Sequence, residues 1–228
     1  MTRPASRDRT HVALMLALTF STGIADAVGY LGLDKVFTGN MTGNVVILGM
    51  ALVGADDLPV VGPVVALAAF LAGAALAGRI LRPVAAGWHR RTTTVLVVVA
   101  AVLVAVAGAL ALADDGGPTL SGYPRAVELA VTAGLALAMG AQAGAARHLA
   151  VKDVTTVVVT STITGLAADS ALGRAVPQPW VRRVLAVVLI GAGAGAGALL
   201  LQVHLAWGVA LSAAITVAVA LVGHRTRD

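Results

Sequence analysis

The chain has 228 residues, 58% of them hydrophobic and 12% charged, with a net charge of +5 and a mean hydropathy of +0.91. That hydropathy excludes an ordinary soluble domain, and a bilayer core about 30 Å thick, taking roughly 20 apolar residues per helix, leaves room for about six spans and no separate soluble unit. Basic residues recur in small clusters between apolar runs, the pattern of membrane orientation rather than of nucleic-acid binding, and the lack of cysteine removes disulfides, thiolate metal sites and cysteine nucleophiles.

The N-terminal MTRPASRDRTH is basic and precedes a long apolar run, Val12 to Leu33. The run lacks a convincing cleavage site, so it reads as a retained first span rather than a signal peptide. It carries Thr19, Ser21, Thr22, Gly23, Asp26 and Gly29. The stretch that follows, VFTGNMTGNVV from Val36 to Val46, is too polar to cross lipid and too apolar for a surface loop. Val45 to Ala55 is about half a membrane long and reads as a half-helix ending at Asp56-Asp57.

A cleaner span follows Pro59, which suits a helix start, and runs to Leu81 before the basic loop RILRPVAAGWHRR. Thr92 to Ala113 is a lipid-facing Val/Ala span closed by the turn signal Asp114-Asp115-Gly116-Gly117-Pro118. Tyr123 to Ala146 carries Glu128, Gln142 and several glycines. Val154 to Ala168 is apolar but rich in Thr and Ser, and the spans Trp180 to Gln202 and His204 to Gly223 close the chain. Charge decides whether residues 154–168 cross or return. If they return, both termini lie inside, and of the Lys and Arg residues only Lys35 and Arg125 lie outside; if they cross, the charges divide almost evenly. The first arrangement is the one the positive-inside rule favours.

The two polar stretches resemble each other. Leu31 to Thr38 aligns with Leu149 to Thr156, and Met41-Thr42-Gly43 with Ile163-Thr164-Gly165 after a shift of about one helical turn. Each follows a span with a glycine and a polar residue near its end, Gly23 and Asp26 in one half, Gly140 and Gln142 in the other. Three spans per half is odd, so homologous halves must lie in opposite orientations. The sequence thus predicts an all-α polytopic bundle with two re-entrant half-helices and an inverted 3+3 repeat: one membrane domain over 1–228, with repeats at about 12–113 and 123–223. A discontinuous element at matching places in both halves points to a substrate site near the bilayer midplane.

The segments STGIADAVGYLGLDKVFTGNMTGNVVILG and MGAQAGAARHLAVKDVTTVVVTSTITGLAAD resemble the two hallmark stretches of the YoaK-like family of small bacterial membrane proteins. The resemblance covers nearly the whole chain and rests most on NMTGN. It implies a multi-pass protein of the bacterial inner membrane, and no particular substrate.

Asp26 lies about fourteen residues into its span, roughly 20 Å along it. An ionisable group there costs about 2.5–3.5 kcal/mol on insertion scales and marks a functional site by default; it is a candidate for loading and releasing a proton, or it holds the exposed amides of the broken stretch. Asn40, Thr42 and Asn44 offer amides and a hydroxyl, with Gly39 and Gly43 freeing the backbone. They line a solute site at a positive helix end, or the two asparagines cap the half-helix. Thr156, Thr160 and Thr164 share one helical face, and Gln142 lies nearby in sequence. Asp26, Asn40, Thr42, Gly43, Asn44, Gln142, Thr156, Thr160 and Thr164 are the nine residues of the candidate substrate or ion site. Glu128 and Arg125 form a surface pair one turn apart, Trp88, Trp180 and Trp207 anchor the interfaces, and GAGAGAG from Gly191 to Gly197 offers a face for tight packing or a homodimer. HExxH, GxSxG and Walker signatures are all missing, as is a carboxylate-histidine cluster with metal-ligand spacing.

The expected function is a small secondary transporter or facilitator for a polar or anionic solute, proton-coupled through Asp26. It would act without cofactor, metal or nucleic acid. The alternatives are a passive channel and a non-transporting scaffold.

Overall fold

The computed structural model describes residues 5–113, 123–149 and 159–227. Its elements are α1 (Ala5–Gly32), α2 (Met41–Ala51), α3 (Val61–Leu81), α4 (Arg90–Ala113), α5 (Arg125–Leu149), α6 (Val159–Ala168), α7 (Trp180–Leu201) and α8 (Leu205–Arg225), with no strand among the described residues. Among the described residues six helices are long and apolar enough to cross a membrane. With 11 and 10 residues, α2 and α6 are only about 15–17 Å long.

Within α1 the polar residues are absorbed by the helix and its neighbours. Thr19 and Thr22 donate their hydroxyls to the Met15 and Leu18 carbonyls one turn back, and Ser21 hydrogen-bonds Ser212 of α8 at 2.6 Å. Lipid offers no hydrophobic drive for helices to associate, so close backbone approach must supply the packing. Glycine makes that approach. A Cβ on Gly23 of α1 would collide with the Ile190 carbonyl of α7, and one on Gly193 of α7 with the Phe20 carbonyl of α1. The same reciprocal contact joins α3 and α5, where Gly73 meets the Leu137 carbonyl and Gly140 meets that of Phe70.

These contacts also give chain direction. Gly193 packs at Phe20 and Gly197 at Ile24, so α1 and α7 run parallel; Gly140 packs at Phe70 and Gly144 at Ala74, so α3 and α5 do too. Conversely, Gln142 of α5 reaches Thr22 of α1 while Arg125, at the start of α5, pairs with Asp34 beyond the end of α1 at 2.6 Å. Helices α1 and α5 are therefore antiparallel. Exchanging α1–α4 for α5–α8 maps the packing onto itself: α3/α5 corresponds to α1/α7, α1/α8 to α5/α4, and α2/α3 to α6/α7.

Several expected boundaries move. Helix α1 starts at Ala5 rather than Val12, and α2 starts at Met41, not Val45. The irregular backbone thus shrinks to residues 33–40, with Lys35 at φ +48° making the turn. Trp88 is not an interfacial anchor: it is fully buried, stacked on His11 and seated against Gly223, where a Cβ would overlap the indole. Trp180 and Trp207 are exposed, as anchors require. The GAGAGAG run divides between two faces, Gly193 and Gly197 against α1, Gly191 and Gly195 toward open space.

Candidate functional site

Asp26 sits on the buried side of α1, facing the irregular segment. Its Oδ1 accepts the backbone N–H groups of Thr38 (3.0 Å), Gly39 (2.6 Å) and Asn40 (3.2 Å). Three successive amides converging on one oxygen form an anion-binding nest, filled here by the chain's own carboxylate through charge-assisted bonds. Two sequence features make the approach feasible. Gly39 lies where a Cβ would come within 2.8 Å of Thr22 Cγ2 and 3.5 Å of Asp26 Oδ1. Asn40 then starts α2 as its N-cap, its side chain accepting the Gly43 N–H at 3.2 Å.

Asn44 has a bracing role. It is fully buried, accepts the Phe37 N–H at 2.8 Å and donates to the Phe37 carbonyl at 2.6 Å, pairing as a backbone strand would. Gly43 serves that brace through space rather than conformational freedom: it is helical, and a Cβ there would reach the Phe37 ring at 2.6 Å. Asn44→Ala orphans both Phe37 backbone groups, at about 1–3 kcal/mol each if buried. A fall in melting temperature with retained membrane insertion is the expected result, and an unshifted melt would show that the brace is dispensable.

A cavity of about 720 Å³ opens beside the nest. Of the nine predicted residues, Asp26, Asn40, Thr42, Gly43 and Thr160 line it, so both short helices contribute to one wall. Asn44 stands behind the wall. Gln142, also buried, supports the cavity through Thr22, donating to its hydroxyl at 3.1 Å, while its own Oε1 has no partner among the described residues. Thr164 is exposed and away from the cavity; Thr156 lies outside the described residues. Thr22, Tyr30 and Phe37, not expected from sequence, complete the polar and aromatic lining, with Val46, Ile47, Val159 and Ile190 adding apolar surface. A signal for two of them was present: Thr22, Asp26 and Tyr30 follow at four-residue spacing on one face of α1.

The far end of α6 is tied down by ions. Asp169 bonds Arg183 at 2.9 Å and also Arg174, and those guanidinium groups, Arg183 first, hold its carboxyl below the ordinary 3.8. Gln178 links Arg183 to the Leu166 carbonyl. Asp169 therefore serves the α6–α7 connection and not the cavity. The expected Arg125–Glu128 pair is present at 2.7 Å.

Helices of spanning length, close glycine crossings and a carboxylate buried at a break between helices define a polytopic helical membrane protein with an internal polar site. Residues 14–222 match the family described as "Protein of unknown function (DUF1275)", and the chain belongs to that family. It is 30% identical over 158 residues to the UPF0700 transmembrane protein YoaK of Bacillus subtilis (strain 168), a match covering 68% of this chain and 65% of that relative's length. No solved structure matches it.

Proposed function

We propose that the protein is a small secondary transporter or facilitator of the bacterial inner membrane, with both termini cytoplasmic and a polar solute held in the Asp26 cavity. The observation that carries this reading is the shared wall: the start of α2 and the start of α6, from opposite halves of the chain, meet at one cavity that holds the buried carboxylate. Discontinuous elements at matching positions of an inverted repeat place solute sites in such transporters. In this reading α2 and α6 are re-entrant, entering from opposite faces, and the halves are inverted repeats. The support is directional. Helix α3 runs parallel to α5, which is antiparallel to α1, so α2 must bring the chain back to the face where α1 ended; α7, parallel to α1, asks the same of α6.

The cysteine-free chain allows a direct test. Single replacements Lys35→Cys, Asp57→Cys, Arg82→Cys and Leu172→Cys are treated with a membrane-impermeant maleimide in right-side-out and inverted vesicles. Positions 35 and 57 are expected to label from one side, 82 and 172 from the other. Labelling of 35 and 57 from opposite sides would mean that α2 crosses, and labelling of 57 together with 172 that α6 does; either result would remove the re-entrant reading. Uptake against a gradient in proteoliposomes then separates a carrier from a passive channel. A homodimer keeps one support, the open outer face at Gly191 and Gly195.

A further inference from the structure

The cavity wall has a chemistry that narrows its solute, provided it is a solute site as proposed above. Asp26 is the one charged side chain among the described residues lining it, and no Lys, Arg or His stands beside it there. The amides that would receive an anion, those of residues 38–40, are already occupied by Asp26 Oδ1. Displacing the carboxylate would leave a negative charge facing the incoming one. The hydroxyl of Thr22 gives its proton to the Leu18 carbonyl and accepts from Gln142, so it can offer one lone pair but not a donor. Next to this, Tyr30 and Phe37 stack with ring centroids 5.0 Å apart and planes inclined by 25°, and both line the cavity. A carboxylate beside paired aromatic faces is the environment that binds organic ammonium ions, through ion pairing and cation–π attraction.

We infer that the solute of this cavity is a small organic cation, an ammonium seated between the Asp26 carboxylate and the Tyr30–Phe37 pair. The aromatic pair distinguishes this from a simple metal-cation site. Sodium or potassium would use the carboxylate and the lining oxygens and draw little from the rings. An ammonium carrying methyl groups uses both.

The test is ligand binding to the full chain in lipid nanodiscs, read by thermal shift and by calorimetric titration. The probes are tetramethylammonium chloride, methylammonium chloride, sodium chloride and sodium acetate at matched ionic strength. Both ammonium salts are expected to raise the melting temperature above that in sodium chloride. Tyr30→Leu, which leaves the amide nest in place, is expected to weaken tetramethylammonium binding by about 3- to 30-fold, while Tyr30→Phe keeps most of it. Asp26→Asn is expected to lose both ammonium probes. Stabilisation by acetate and not by the ammonium salts would overturn the cation inference and leave a solute cavity standing. Equal tetramethylammonium affinity in wild type and Tyr30→Leu would overturn the aromatic seat, and so would binding of none of the probes. Ammonium binding without flux in proteoliposomes would uphold the inference and remove the transport reading instead.

Discussion

Replacing Asp26 by alanine is expected to destabilise the protein by about 3 kcal/mol or more, because three backbone N–H groups then lose their acceptor and each buried orphan costs roughly 1–3 kcal/mol. Water from the adjoining cavity can satisfy part of that loss, which sets the estimate near the lower end. Asp26→Asn separates structure from chemistry. Its amide oxygen can still accept from Thr38, Gly39 and Asn40, and only the charge-assisted increment is lost, about 1 kcal/mol. The asparagine variant should therefore fold and insert, melt slightly below wild type, and lose pH-dependent uptake in proteoliposomes. The alanine variant should melt far lower and lose uptake as well. Unchanged pH-dependent uptake in Asp26→Asn would take Asp26 out of the transport chemistry and leave it as a clamp on the irregular segment. An alanine variant as stable as wild type would show instead that the nest does not need its carboxylate.

The sequence carried the architecture because membrane physics restricts what a backbone can do. Hydropathy and length mark the spans directly, and the charge bias favours the arrangement in which the short segments return. Local geometry was harder to read. Asn40 and Asn44 are chemically identical and four residues apart, yet one caps α2 and the other braces Phe37; which does which depends on how residues 33–40 fold back on α1, and no local pattern encodes that. Gly43 illustrates the same limit. A glycine in NMTGN suggests unusual backbone angles, whereas the residue is helical and is small because the Phe37 ring lies over it. Gly23 and Gly140, which the sequence sets at matching places, make equivalent crossings. Asp26 and Gln142 are not equivalents: Asp26 is three residues beyond its glycine, and the residue three beyond Gly140 is Ala143. The acidic site belongs to the first half alone, so an alignment that matched polar residue to polar residue would miss the asymmetry. Trp88 was misread for a related reason, since hydropathy places a residue near an interface without saying whether it faces lipid or protein.

Those equivalent glycines give the second large effect. Gly23→Ala and Gly193→Ala should each destabilise the α1/α7 crossing, and Gly140→Ala and Gly73→Ala the α3/α5 crossing, because in every case the new methyl meets a backbone carbonyl of the facing helix. A carbonyl cannot rotate away as a side chain can, so the helices must part along their length. The cost is expected at about 1–3 kcal/mol or beyond, the range for overpacked cores, measured as the loss of melting temperature in a fixed lipid or detergent. Gly191→Ala and Gly195→Ala, where a methyl finds open space, should change little and serve as controls on the same helix. Pairs of substitutions make the sharper test. Gly23→Ala with Gly193→Ala should cost less than the sum of the two, since helices already forced apart by the first methyl admit the second. Gly193→Ala with Gly73→Ala should be additive, because α7 and α3 make no contact among the described residues. If the first pair proved additive and the second did not, α1/α7 and α3/α5 would not be two independent copies of one packing unit, and the repeat would lose its physical basis.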